Sequence, residues 1–300
     1  SMGPAKIFSV LDMSAAYHQV DLHEESRHLT SFVTPLGAFR YRRMPFGLAS
    51  ASAVFQRIMQ NIFGKMSGVY CFQDDILIAG VDEKEHDRLF QEVMKKLEKH
   101  GLTIKKEKCQ IRRESVTYLG HVLDEKGLKP KKNIIQAIES APEPTNKDEL
   151  RSFLGLAEYC SKFVPNFADV VEPLRVIMKK NAKFIWDTEC QQAFEKVKTY
   201  IVRAPTLGRF EVSGKTYITT DASKVGIGAV LTQIVKGEER IIGFASRRLQ
   251  GAETMYSVIE REALACCWGI NHFRFFIWGI PFKVRTDHKP LLYIFKGGKG

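Results

Sequence analysis

Phe72-Gln73-Asp74-Asp75 constrains this chain more tightly than any other stretch. Two adjacent aspartates interrupt an apolar run, with Val69-Tyr70-Cys71 before them and Ile76-Leu77-Ile78-Ala79 after. Short runs rich in aromatic and β-branched residues read as buried strands. Carboxylates inside such a run are costly unless a cation accompanies them. A pair of strands joined by a tight turn at Gln73-Asp74 reconciles the two, with both acids held at an exposed hairpin tip. That arrangement is a divalent-metal site lacking a third ligand. Ile7-Phe8-Ser9-Val10-Leu11-Asp12, a second apolar run ending in a lone aspartate, supplies one.

Carboxylates on rigid elements can bridge two cations about 3.5–4 Å apart, the requirement of two-metal phosphoryl transfer. Oxygen ligands without imidazole or thiolate favour Mg²⁺ or Mn²⁺ over zinc. Asp12 alone reads equally well as a turn or cap residue. The double aspartate inside a hydrophobic hairpin does not.

The rest of the chain is organised around at least two folding units. Its 300 residues suffice for two domains with real cores. In the first, Ala51, Val54, Phe55, Ile58 and Ile62 recur at helical spacing after Gly47. A longer amphipathic helix follows the hairpin, with His86, Leu89, Phe90, Val93 and Leu97 on one face and Gly101 as its stop. Short strands are expected around 109–111 and 116–123, and Pro142 and Pro144 mark a boundary. Thr145-Asn146-Lys147-Asp148 reads as a capping box opening the next helix, within a helical region of about 132–203. From 215 onward the pattern is three strands, a helix at about 254–273 and a fourth strand. Asp221 ends the first of these strands, Glu262 lies early in the helix and Asp287 ends the fourth strand. These three acids could converge on a second cation pair. Each alone could equally be a cap or a surface charge. Glu260 is two residues from Glu262 and cannot face the same way.

A net charge of +11 and a pI near 9.3 point to an anionic partner, nucleic acid above all. Basic residues gather at Lys105-Lys106, Lys108, Arg112-Arg113, Lys129, Lys131-Lys132 and Lys179-Lys180. The six cysteines show no C-x-x-C pairing and the eight histidines no paired spacing. A reduced, intracellular protein without zinc is therefore expected. No apolar stretch is long enough for a membrane span.

The ordered motifs carry a resemblance. Leu11-Asp12-Met13-Ser14-Ala15-Ala16-Tyr17-His18-Gln19, Met44-Pro45-Phe46-Gly47-Leu48, Phe72-Gln73-Asp74-Asp75 and Tyr118-Leu119-Gly120-His121 resemble reverse transcriptase motifs of the Ty3/gypsy class of LTR retrotransposons, a retrovirus-like group. Thr220-Asp221-Ala222-Ser223, Glu260-Arg261-Glu262 and Thr286-Asp287-His288-Lys289-Pro290 resemble the ribonuclease H domain of the same Pol polyproteins. The resemblance implies an α+β fold: a palm of antiparallel sheet and helices over 1–125, a helical thumb or connection over 126–204, and a ribonuclease H-like α/β domain over 205–300.

It further implies RNA-directed DNA polymerase activity with ribonuclease H. Asp12, Asp74 and Asp75 would hold the polymerase metals, and Asp221, Glu262 and Asp287 those of RNA cleavage, with Mg²⁺ or Mn²⁺ as cofactor. Tyr17 would sit beneath the deoxyribose and exclude a 2′-hydroxyl. Phe46, Gly47 and Gln73 would line the nucleotide pocket, Lys108 would meet the departing pyrophosphate, and Tyr118-Leu119-Gly120 would grip the primer end. The implied partners are an RNA template, a DNA primer, the RNA–DNA hybrid, dNTPs and possible homodimer copies. The implied location is the cytoplasm, within a virus-like particle, or the nucleus.

Against the family pattern, only Gly3–Lys6 precede the first strand after Ser1-Met2, which reads as an artificial start. Most of the fingers is thus expected to be absent, along with a fourth ribonuclease H acid beyond residue 300. The competing reading is a catalytically impaired or domesticated nucleic-acid-binding remnant. A weaker third reading is a protein-interaction scaffold using the helical middle region.

Overall fold

The computed structural model describes residues 5–295, which form two compact units, 5–125 and 126–295. In the first, β1 (Ile7–Asp12) is followed by two short 3₁₀-helical segments and a small hairpin of β2 (Phe32–Thr34) and β3 (Gly37–Phe39). Then come α1 (Ala51–Phe63), β4 (Val69–Phe72), β5 (Asp75–Gly80), α2 (Glu83–Lys99), β6 (Gln110–Arg113), β7 (Ser115–Tyr118) and β8 (His121–Asp124). The main sheet has the order β4-β5-β1-β6, with the acid-bearing strands β5 and β1 at its centre.

Register decides what this sheet can do. β1 and β5 pair antiparallel, placing Leu11 opposite Ile76 and Asp12 opposite Asp75. Leu11, Ile76 and Ile78 pack against Phe55, Phe63, Leu89, Val93 and Leu97 of the two helices. Side chains alternate across a strand, so Asp12 and Asp75 share the other face with Val10 and Leu77. α2 lies on the sheet because its apolar residues recur every three or four positions. Asp82 caps its start by accepting the Glu85 N–H at 2.8 Å.

One polar group interrupts the helix-covered face. Ser9 is fully buried; its hydroxyl accepts the Arg112 N–H at 2.9 Å and lies 2.8 Å from His86 Nε2. The other ring nitrogen of His86 lies 3.0 Å from Asp87.

The second unit begins with β9 (Gly127–Pro130) and a set of helices: α3 (Lys132–Glu139), α4 (Lys147–Tyr159), α5 (Phe167–Val170), α6 (Glu172–Ile177) and α7 (Thr188–Val202). Their buried residues, Ile138, Leu150, Phe153, Phe163, Leu174, Phe194 and Val197 among them, form one core. The cap of α4 lies one residue later than the sequence pattern suggests. Asn146 accepts the Asp148 and Glu149 N–H groups, while Glu149 reaches back to the Thr145 N–H. The short amide of Asn146 satisfies two of the helix's free donors at once, which Thr145 cannot do from one position further out.

A mixed sheet follows in the order β12-β11-β10-β13, built from β10 (Lys215–Ala222), β11 (Gly226–Val235), β12 (Glu238–Arg248) and β13 (Phe282–Arg285). β10 pairs antiparallel with β11 and parallel with β13. Between β12 and β13 run α8 (Val258–His272) and the short α9 (Arg274–Ile277), and α10 (Lys289–Phe295) ends the described chain. α8 comes very close to the sheet because Gly269 carries no side chain: a Cβ there would lie 2.9 Å from Ala229 Cβ. Ile241 and Phe244 of β12 pack onto the helical core, so helices and sheet share apolar contacts. Among the described residues, no helix is long and apolar enough to cross a membrane.

Candidate functional sites

The first site lies at the carboxyl end of β1. Gln73 and Asp74 form a two-residue turn between β4 and β5, with Gln73 at φ 50°. Asp74 is exposed, as expected of a hairpin tip. Asp75 differs from that expectation: it is the first residue of β5, half-buried, directly opposite Asp12. Pairing with β1 extends the ladder to this residue and draws it off the tip. Like charges directly opposite one another repel, and the electrostatics show it. Burial first, then the charges of Asp74 and Asp12, raise the Asp75 carboxyl above its ordinary range, while Lys108 opposes them. Lys108 Nζ stands 3.7 Å from Asp12 Oδ2. Backbone bonds hold the surroundings: Met13 N–H donates to Asp74 O at 2.9 Å and Lys105 N–H to Asp12 O at 2.8 Å.

Tyr118 is also near. Burial, with smaller contributions from Cys71 and Asp75, raises its phenol above the ordinary range, and burial pushes the Cys71 thiol up to about 12. Leu119 and Gly120, at φ 47° and 79°, make the tight turn from β7 to β8 immediately beyond Tyr118. Tyr17 is half-buried and packs against Phe46 and Phe55, with ring centroids 5.1 and 5.8 Å apart. Phe46 is exposed, and Gly47 follows it at φ 92° with open space on its Cβ side. The expected residues thus form an acidic group (Asp12, Asp74, Asp75, with Lys108 and Tyr118), a separate aromatic group (Tyr17, Phe46, beside Gly47) and a hairpin tip (Leu119, Gly120).

One residue escaped the sequence reading. Gln56 on α1 accepts the Gln73 N–H at 2.7 Å and donates to Cys71 O at 3.0 Å, so a helix side chain clamps the aspartate turn. Its only signal was a polar residue beside the buried Phe55. Ser9, His86 and Asp87 have the connectivity of a nucleophile triad, but Ser9 is fully buried and already bonded. They act as a structural link.

The second site gathers three acids at one end of the second unit's sheet. Asp221 is exposed near the end of β10, and Glu262 is buried in the second turn of α8; Asp287 does not end β13 as expected but is exposed in a bend two residues beyond it. The Ala222 N–H donates to Glu262, whose Oε2 has no partner. Burial, then Asp221 and Asp287, raise its pKa; His288 lowers it. A buried carboxylate oxygen without a donor, faced by two more carboxylates, suits a hard divalent cation. The opposed acids Asp12 and Asp75 suit one for the same reason. Among the described residues, no three His, Cys, Asp or Glu side chains are already drawn into a closed metal centre. Glu260 is occupied elsewhere: it caps α8 through Ser257.

Comparison with known proteins matches this layout. Residues 1–123 match the family described as reverse transcriptase (RNA-dependent DNA polymerase), and residues 186–284 the RNase H-like domain found in reverse transcriptase. The chain is 39% identical over 297 residues to the retrovirus-related Pol polyprotein from transposon 412 of Drosophila melanogaster, covering 98% of this chain and 24% of that one. Residues 1–123 thus belong to the reverse transcriptase family and residues 186–284 to the RNase H-like domain found with it. The Tf2-3 polyprotein of Schizosaccharomyces pombe is 35% identical over 291 residues, which is 95% of this chain and 22% of the polyprotein. The chain spans about a quarter of the length of these relatives. A foamy viral protease-reverse transcriptase in complex with RNA/DNA hybrid shares the fold, with a TM-score of 0.88 over 99% of this chain and 41% of that one, at 21% identity.

Proposed function

We propose that this chain is an RNA-directed DNA polymerase with an associated ribonuclease H, acting on an RNA template, a DNA primer and dNTPs. The observation that carries the reading is the cross-strand pairing of Asp12 with Asp75, with Asp74 at the adjoining turn. Three carboxylates fixed by two central strands and one clamped turn have no role in stabilising the sheet, where they repel one another.

Asp12, Asp74 and Asp75 would hold Mg²⁺ or Mn²⁺, and Asp221, Glu262 and Asp287 would do the same in the second unit. The cations, when bound, would acidify the primer 3′-hydroxyl or a water and neutralise phosphate charge. Lys108, 3.7 Å from Asp12, counters the rise of the Asp75 pKa and so favours the ionised, ligating form of Asp75. It is also placed to meet a departing pyrophosphate. The Tyr17 ring, braced by Phe46 and Phe55, would exclude a ribose 2′-hydroxyl by contact. The exposed Phe46, the open backbone at Gly47 and Gln73 at the clamped turn would form the floor under the incoming nucleotide. Tyr118-Leu119-Gly120 would support the primer end. The basic clusters at 105–113 and 129–132 would bind phosphates without reading sequence.

Primer extension on an RNA template with Mg²⁺ or Mn²⁺ tests the first site. Extension should occur and Asp74→Asn should abolish it. Hybrid cleavage lost in Asp221→Asn tests the second. Salt-dependent hybrid binding with no extension at high protein concentration would replace the enzyme reading with that of a binding remnant.

A further inference from the structure

The glycine-punctuated strand Gly226-Ile227-Gly228 has no role in the chemistry described so far. Its glycines make room for two side chains from the helical part of the same unit. A Cβ at Gly228 would fall 2.2 Å from Asn166 Oδ1, and one at Gly226 would fall 2.4 Å from Asp169 Oδ1. Gly228 is the cross-strand partner of Asp221. The space it vacates therefore lies beside the first acid of the RNase H-like site, and Asn166 uses it. Asn166 Nδ2 donates to Asp221 Oδ2 at 3.1 Å.

Two further features show that Asn166 is committed to this contact. It occupies the N-cap position of α5, where asparagine ordinarily bonds the helix's free N–H groups, yet its side chain makes no cap bond there. Its backbone is left-handed, at φ 46° and ψ 39°. Among residues with a side chain, asparagine adopts that conformation comparatively readily. The neighbouring Ala168 N–H donates to Ser246 Oγ at 2.9 Å, which anchors the turn on β12.

We propose that Asn166 is a positioning residue for RNA cleavage, orienting the Asp221 carboxylate from outside the RNase H-like fold, with Gly228 as the gap that admits it. The inference rests on reading Asp221 as a cleavage-site acid. By holding Oδ2, Asn166 restricts the rotamers open to the Asp221 side chain. Without that bond the exposed Asp221 side chain samples other rotamers, and the productive arrangement of acids is populated less often.

The test uses the full chain and two variants that reach the contact from opposite sides. Asn166→Gly removes the amide and keeps the left-handed backbone. Gly228→Ala leaves Asn166 in place but displaces its side chain. Each should lower kcat for RNA–DNA hybrid cleavage by about tenfold, the effect of one hydrogen bond to a charged group, with KM for hybrid unchanged. Each should also weaken, severalfold, the fraction of Mn²⁺ binding that Asp221→Asn abolishes, measured by electron paramagnetic resonance without nucleic acid. Values within twofold of wild type in both measurements, for both variants, would overturn the proposal. If the wild-type chain binds Mn²⁺ but cleaves nothing, the reading of turnover fails, and the Mn²⁺ shift still decides the role of Asn166. If no Mn²⁺ binding depends on Asp221, both readings fall.

Discussion

Glu262→Gln should abolish hybrid cleavage and at the same time make the metal-free protein more stable. Glu262 is 5% exposed, one of its oxygens has no hydrogen-bond donor, and Asp221 and Asp287 oppose its charge. Its pKa is raised in the folded state, so folding is penalised as pH rises through that value. Below the ordinary carboxylate pKa both states are protonated and the penalty vanishes. An unsatisfied buried polar group costs about 1–3 kcal/mol, more if charged. Glutamine removes the charge but keeps a polar atom, so a gain of about 1–2 kcal/mol is expected. For a unit of this size that corresponds to a rise in Tm of about 2–8 °C at roughly 2–4 °C per kcal/mol. Scanning calorimetry in EDTA at about pH 8 should show the rise, and at about pH 4.5 most of it should be gone. Added Mg²⁺ should reverse the ranking, because only the wild type gains from ligand binding. A variant that melts below wild type at pH 8 in EDTA would refute the reasoning, as would an equal difference at both pH values.

Gln56→Ala removes both bonds that clamp the aspartate turn; it should lower stability by about 1–2 kcal/mol in urea titrations and reduce primer extension more than that loss explains. Gly80→Ala sets a Cβ 2.6 Å from His86 N and 2.7 Å from its Cα, a collision with backbone that cannot rotate away. A loss of about 2 kcal/mol or more is expected, and an unchanged urea midpoint would contradict it. Burial pushes the Cys71 and Cys160 thiols up to about 12 and about 11, whereas Cys267 is exposed. Alkylation of the native protein near pH 8, followed by mass spectrometry, should therefore mark Cys267 well before the other two.

What was legible in the sequence was whatever a local pattern enforces. Two acids in an apolar run require a turn and a reason, and the Asp74 turn with Asp12 opposite Asp75 answers both. The stripe of His86, Leu89, Val93 and Leu97 required a helix lying on a sheet. The capping motif is ambiguous by one residue because Thr145 and Asn146 both have the chemistry, and only geometry decides which side chain reaches the free N–H groups. Gln56 and Asn166 were illegible for a different reason. Gln56 reaches Cys71 and Gln73 across 15 and 17 residues of chain, and Asn166 reaches Asp221 across 55; no periodicity encodes such contacts. The paired glycines of β11 were the visible half of the Asn166 contact, and their meaning depended on what occupied the space beside them.

The buried Ser9 hydroxyl has a consequence for accuracy of assembly. Alternation of apolar and polar residues forbids a strand from slipping by one position, since every side chain would change face. It does not forbid a slip by two, which keeps each face apolar and moves the strand by roughly 7 Å. For β1 that error would carry Asp12 past Asp75 and leave a well-packed but chemically useless sheet. Ser9 meets Arg112 and His86 in one register only. Three residues from the acid, it works as an indexing notch: the oily core accepts several alignments of the strand, and one hydroxyl selects the alignment in which the carboxylates meet.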